Sequence, residues 1–157
     1  MKIVVDANVV IAALAKQSIT KEVLLYPFID YYSPDFLLEE LAEHEEEIIS
    51  KMKTDRLGYQ KALGIITKKL KIVHRDTYIK YLADANKIIG EVDKDDVAYI
   101  AVALSIEADG VWSYDPHFKQ QTTVRLFPTS ELIRLIKKLY APRASAPIPG
   151  WEAGEKG

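Results

Sequence analysis

Cysteine is absent from the 157 residues. That excludes disulfides, thiolate metal sites and a cysteine nucleophile, and it makes a cytoplasmic location the default expectation. Glycine is sparse, seven residues with none clustered, so there is no glycine-rich loop to cradle a phosphate. The three histidines, His44, His74 and His117, are scattered and form no His-x-x-x-His pair, and no serine nucleophile elbow occurs. Each histidine is therefore read as a surface or packing residue, His117 least securely, because it lies two residues past Asp115. No apolar run approaches the ~20 residues that a bilayer crossing needs, so no membrane association is expected. The N-terminus runs straight into a strand pattern without the layout of a signal peptide.

What remains is the composition of an ordinary globular domain: 48% hydrophobic, 28% charged, long enough to bury a sizeable core. The net charge of −2 is unevenly spread. Glu39 to Glu47 contains six glutamates and no cation, whereas Lys51 to Lys80 carries nine basic residues against two aspartates, a local balance of +7. Solvated helix faces account for such runs, and so does a phosphate-facing surface beside an acidic centre.

The chain opens with Ile3-Val4-Val5, an apolar, β-branched run suited to a strand covered on both faces, followed at once by Asp6 and a helical segment from Asn8. A carboxylate at the carboxyl end of a buried strand sits where open α/β sheets bind ligands. It also sits where a helix cap belongs. Tyr31-Tyr32 reads as a short strand, and Ser33-Pro34-Asp35 as the start of a helix running to about Lys53, with Ser33 as N-cap. Its stripe of Leu37, Leu38, Leu41, Ile48 and Met52 places Glu40 at the interior edge and Glu39 farther out. A helix over 57–70, a strand over 71–74 and a helix over 76–89 follow. Ser18 or Thr20 is the expected cap of a short earlier helix.

Asp93, Asp95 and Asp96 precede the most apolar helix of the chain, Val97 to Leu104. The helix dipole explains acids in a first turn. Asp96, one residue before the buried run, cannot easily turn to water and must meet a cation or hydrogen-bond donors. Val111-Trp112-Ser113 is another short strand, with Asp115 just beyond it, repeating the opening pattern; Val124 to Phe127 is a last strand before a final helix to about Tyr140. Residues 1–140 are expected to form one domain and 141–157, rich in Pro, Ala and Gly, a flexible tail.

Strands alternating with helices predict an α/β fold with a mainly parallel sheet. Its carboxyl edge would gather Asp6, Asp96 and Asp115, with Glu40 joining from the helix after the second strand. Carboxylates so gathered repel one another unless cations bind among them, and Mg²⁺ or Mn²⁺ suits oxygen ligands better than zinc does. The matching chemistry is metal-assisted phosphodiester hydrolysis.

On these motifs the chain resembles the PIN domain family, which includes the VapC toxins of prokaryotic toxin–antitoxin pairs. Val4-Val5-Asp6-Ala7-Asn8 resembles the family's first motif and Leu37-Leu38-Glu39-Glu40-Leu41 its second. Asp95-Asp96-Val97-Ala98-Tyr99-Ile100 resembles the third, and Trp112-Ser113-Tyr114-Asp115-Pro116-His117 the fourth. The resemblance implies a three-layer α/β/α sandwich around a five-stranded parallel sheet of order 3-2-1-4-5. It implies Asp6, Glu40, Asp96 and Asp115 as catalytic metal ligands, with Asn8 and Ser113 as auxiliary polar groups. It further implies Mg²⁺- or Mn²⁺-dependent cleavage of single-stranded RNA by a homodimer, with an antitoxin protein as partner if the chain is a toxin. One departure stands out: the family often has a second aspartate two residues after the fourth acid, and here that residue is His117. Two other readings stay open. One is a PIN-fold module that binds RNA or protein without catalysis, motivated by His117 and the basic 51–80 region. The other is an aspartate-nucleophile phosphatase of the haloacid dehalogenase type, which wants an aspartate where this chain has Asn8.

Overall fold

Ile3, Val4 and Val5 are wholly buried, as a strand must be when helices cover both faces of its sheet. In the computed structural model, which describes residues 1–15 and 19–140, they form β1 (Lys2–Val5). This strand is central. It pairs in parallel with β2 (Asp30–Pro34) on one side and with β4 (Gly110–Trp112) on the other. Outside these lie β3 (Leu70–Val73), parallel to β2, and β5 (Leu126–Phe127), parallel to β4. The order is 3-2-1-4-5, as the resemblance implied.

The flanking helices fall into two packing groups. The first comprises α1 (Ala7–Ala15), α2 (Ile19–Leu24), α3 (Phe36–Glu43), α4 (Glu45–Met52) and α5 (Arg56–Lys69). The second comprises α6 (Arg75–Tyr78), α7 (Leu82–Ile89) and α8 (Val97–Ser105), with a 3-10 turn at Ile79–Tyr81 between the first two. Helix α8 lies directly on β1, β2 and β4, and Tyr99 to Ala103 are all buried. Its small residues permit that close approach. A last helix, α9 (Thr129–Tyr140), packs against α2. Among the described residues no helix is long and apolar enough to cross a membrane.

Several local expectations are corrected. Ser33 and Pro34 belong to β2, not to a helix start. The Ser33 hydroxyl donates to the Val5 carbonyl at 2.6 Å, so its oxygen serves the sheet. Asp35 is the N-cap of α3 instead, and its carboxylate also accepts from the Arg75 amide at 3.0 Å and the Tyr78 hydroxyl at 2.6 Å, tying α3 to α6. The helix expected to reach Lys53 is interrupted at His44. Glu39, Glu43 and Glu47 would stack at i,i+4 along an unbroken helix, an unfavourable like-charge arrangement, while Leu37, Leu41 and Ile48 stay buried on both sides of the break. Helix α8 begins at Val97, so Asp93, Asp95 and Asp96 precede its first turn. Thr20 lies inside α2 and shares a 2.6 Å hydrogen bond with the Tyr114 hydroxyl; Ser18 and the expected 141–157 tail lie outside the described residues.

The β4–β5 contact leaves no room for a side chain at Gly110: an added Cβ would lie 2.4 Å from the Arg125 carbonyl and 2.5 Å from the Phe127 ring. Replacement Gly110→Ala should destabilise the protein by about 1–3 kcal/mol, the usual consequence of overpacking a dense core. Urea titration followed by circular dichroism checks this, and an unchanged midpoint would refute the close approach.

Candidate functional site

The strand order reverses between β1 and β4, which makes their carboxyl ends the switch point of the sheet and the place where a crevice opens. Asp6 follows β1, and Ser113 and Asp115 follow β4. The Asp6 amide continues the sheet by donating to the Trp112 carbonyl at 3.1 Å. Its side chain is 5% exposed. One oxygen accepts the Ala7 N–H at 2.7 Å and the other the Ser113 hydroxyl at 2.6 Å. The capping role is therefore real but takes only one of the two oxygens.

Ser113 is the hub. Its hydroxyl has one proton and two lone pairs. The proton goes to Asp6; the lone pairs face the Asp115 amide at 2.9 Å and the Asn8 side-chain amide at 3.4 Å. Asn8 in turn accepts the Tyr114 N–H at 3.2 Å. Asp115 caps the 3-10 turn Pro116–Gln120, accepting the His117 N–H at 2.9 Å.

Asp96 enters from the other side, at the start of α8. It is 4% exposed, and its side chain makes no capping bond to the helix, so the dipole explanation alone does not suffice. Its Oδ2 is buried with no hydrogen-bond partner. Glu40, half-buried on α3, accepts the hydroxyl of the buried Tyr99 at 2.6 Å. Glu39 is exposed.

Charge follows from this crowding. Burial pushes the Asp6 carboxyl up to about 6, and the charges of Asp115 and Asp93 add to it. Burial raises Glu40 to about 7, with Asp6 and Asp95 contributing and Tyr99 opposing. Asp96 rises to about 8, chiefly through burial and then through Asp6, Asp93, Asp115 and Glu40. Asp96 thus feels the charges of the other three expected acids, Asp6, Glu40 and Asp115.

The donor atoms able to converge on one ion are a different set. Among the described residues, Asp93, Asp96, Asp115 and His117 each offer a ligand atom, all within 4.8 Å of one another. The His117 Nδ1 lies 3.1 Å from Asp93 Oδ2, 3.2 Å from Asp115 Oδ1 and 3.7 Å from Asp96 Oδ2. An orphaned buried carboxylate oxygen beside oxygen-rich donors fits a divalent cation. Asp6 and Glu40 lie outside this group and act on it through their charge.

Three residues escaped the sequence reading. Asp93 was indistinguishable from a helix-dipole acid, its only signal being the spacing of three from Asp96. His117 carried the signal of standing two residues past Asp115. Tyr99 was hidden in an apolar run, although a buried tyrosine hydroxyl always needs a partner.

Comparison with known proteins places these observations. A family model described as a PIN domain matches residues 4–127. No curated protein matches the sequence. Among solved structures, the fold resembles VapBC2 from Rickettsia felis, a structure bound to a DNA fragment from their promoter. The TM-score is 0.62 at 17% identity, covering 82% of this chain and 98% of that one, which is a likeness of fold.

The acids dictate a pH dependence. A carboxyl whose folded value exceeds its unfolded one binds more protons when folded, so its stabilising contribution is complete below about 4 and lost as pH rises through the folded value. For Asp6, Glu40 and Asp96 that window runs from about 4 up to about 8. The metal-free protein should therefore melt at progressively lower temperature between pH 5 and 8.5. Replacement Asp96→Asn should flatten that decline and raise Tm at pH 8 by at least roughly 2–4 °C, corresponding to about 1 kcal/mol. Differential scanning calorimetry in chelator tests both; a melting point independent of pH would contradict the buried-charge account.

Proposed function

The chain belongs to the PIN domain family, and on that premise we propose that it is a divalent-metal-dependent ribonuclease that hydrolyses phosphodiester bonds of single-stranded RNA. The observation that carries this reading is Asp96, a buried carboxylate with an unpartnered oxygen at the carboxyl edge of the sheet. A catalytically silent binding module has no use for such a group, which destabilises the metal-free fold. A phosphatase with Asp6 as nucleophile fares worse, because one Asp6 oxygen is engaged by Ser113 and the other by Ala7.

In this reading Asp96 and Asp115 hold Mg²⁺ or Mn²⁺, and Asp6 and Glu40 complete the acidic centre through their charge. What a divalent ion supplies at such a centre is a water of lowered pKa and charge to steady the leaving oxygen. The protein's own contribution is placement. Ser113 and Asn8 are positioning residues that hold Asp6 and Asp115 in register through the bonds described above. Glu40 is oriented by the Tyr99 hydroxyl at its Oε1, and we assign this carboxylate to receive the proton of the attacking water. Excess positive charge over residues 51–80 supports attraction of an RNA backbone.

The family premise extends to a VapC-like toxin acting as a homodimer with an antitoxin partner. Its support is the likeness of fold to VapBC2. Expression of the chain alone should then arrest growth, and Asp96→Asn should relieve the arrest.

The direct test is a labelled single-stranded RNA incubated with Mg²⁺ or Mn²⁺. Replacements Asp6→Asn and Asp96→Asn should each lower the rate at least ~10²-fold, as expected for loss of one electrostatic stabiliser. Ser113→Ala should lower it by about 10–100-fold, as for a residue that orients a ligand. Cleavage that survives both aspartate replacements, or that persists in chelator, would sink the assignment.

A further inference from the structure

The four acids assigned above leave two neighbours without a role, and both face Asp96. Asp93 is half-buried in the segment before α8, with Oδ1 taken by the Asp95 N–H at 2.9 Å and Oδ2 turned to His117. His117 occupies the 3-10 turn after Asp115, with Nδ1 directed inward among three carboxylates. Resting on the reading of this crevice as a metal centre, we infer that Asp93 and His117 are themselves ligands. The ion site is completed by one imidazole nitrogen, and it selects Mn²⁺ over Mg²⁺.

Hydrogen bonding alone does not account for the arrangement. An imidazole offers one proton at Nδ1, while three carboxylate oxygens compete for it. Two lie at 3.1 and 3.2 Å, and the third, Asp96 Oδ2, is left at 3.7 Å with no hydrogen bond. That oxygen belongs to a residue 96% buried, so water does not relieve it. A cation satisfies all four donors at once. Donors bound side by side to one ion at about 2.1 Å stand about 3 Å apart, close to the separations His117 already shows.

Ion preference follows from the donor set. Mg²⁺ keeps several waters and usually takes one or two carboxylates, whereas this group presents three carboxylates and a nitrogen within 4.8 Å. Imidazole favours transition ions, and Mn²⁺ accepts oxygen-rich surroundings together with a nitrogen. An aspartate at residue 117 would make the site all-oxygen and remove the discrimination.

The test uses the full chain stripped with chelator and Mn²⁺ alone as probe. Free Mn²⁺ is followed by its EPR signal, Mg²⁺ by competition, and a bound ring nitrogen by spin-echo modulation. Mn²⁺ should bind at least about tenfold more tightly than Mg²⁺, with nitrogen modulation present. Replacement His117→Ala should abolish the modulation and weaken Mn²⁺ by about 10–100-fold. His117→Asp, which keeps a ligand, should abolish the modulation and bring the two affinities within about threefold of each other. Asp93→Asn should weaken Mn²⁺ while leaving the modulation in place. Modulation that is absent from the wild-type chain, or unchanged in His117→Ala, would overturn the assignment. So would tighter Mn²⁺ binding in His117→Ala, which would make the ring a competing cation. Nitrogen-ligated Mn²⁺ in a protein that cuts no RNA would overturn the nuclease reading alone. Metal-dependent cleavage without nitrogen ligation would overturn this one alone.

Discussion

Burial of carboxylates at one edge of the sheet, compounded by their charges, is the constraint on which the crevice depends. Asp6, Glu40 and Asp96 are each held where burial makes ionisation unfavourable; the charge of Asp6 adds to this at Glu40, and the charges of Asp6 and Glu40 both add to it at Asp96. A fold selected only for stability would replace Asp96, whose Oδ2 finds no partner, because an unsatisfied buried acceptor costs about 1–3 kcal/mol. The arrangement persists because the surrounding core over-determines it: Ile3 to Val5 of β1 and Tyr99 to Ala103 of α8 are buried and fix the acids at the ends of these elements. Strain of this kind gathers at functional sites. The same electrostatics that make charge costly in the crevice make it attractive to a small divalent cation, so instability and the proposed function have one source.

Topology decides which acids meet. A parallel sheet sends every strand to the same edge, and the order 3-2-1-4-5 makes β1 and β4 neighbours although more than a hundred residues separate them. Asp6 and Ser113 are thereby brought to a 2.6 Å hydrogen bond. Ser113 spends its full bonding capacity on residues of this crevice, and that is what joins the chain segments after β1 and β4 into one constellation. Burial of Trp112, with its indole N–H donating to Thr129 at 3.0 Å, anchors the strand that carries Ser113. Precision at the site therefore derives from the sheet and from one hydroxyl more than from the acids themselves.

Features set by local pattern were legible in the sequence; features set by long-range contact were not. Apolar strands ending in an acid announced Asp6 and Asp115, and the all-apolar helix announced the burial of Asp96. The sheet order came from resemblance to a family, since composition carries no information on which strands adjoin. Ser33 misled because a serine before a proline is a good cap, and only the Val5 carbonyl, 28 residues away, reveals its use in the sheet. The interruption at His44 turns on charge spacing that periodicity of apolar residues ignores. Asp93 reads as a helix-dipole acid and His117 as a surface or packing residue, because their meaning lies in a 3.1 Å approach across 24 residues.

Asp96 is where the two sides of the crevice join. On one side stand Asp6 and Glu40, acting on it through charge and fixed by Ser113 and Tyr99. On the other stand Asp93, Asp115 and His117, each with a donor atom within 4.8 Å of one on Asp96, close enough to share a ligand. Glu40 carries the bond from Tyr99, three residues along α8 from Asp96, so the same helix that buries Asp96 also aims Glu40. The first side therefore answers to the position of α8 and the second to the short turn after Asp115. A group that tunes ion choice without disturbing the rest of the core belongs on that turn, and His117 is the residue there.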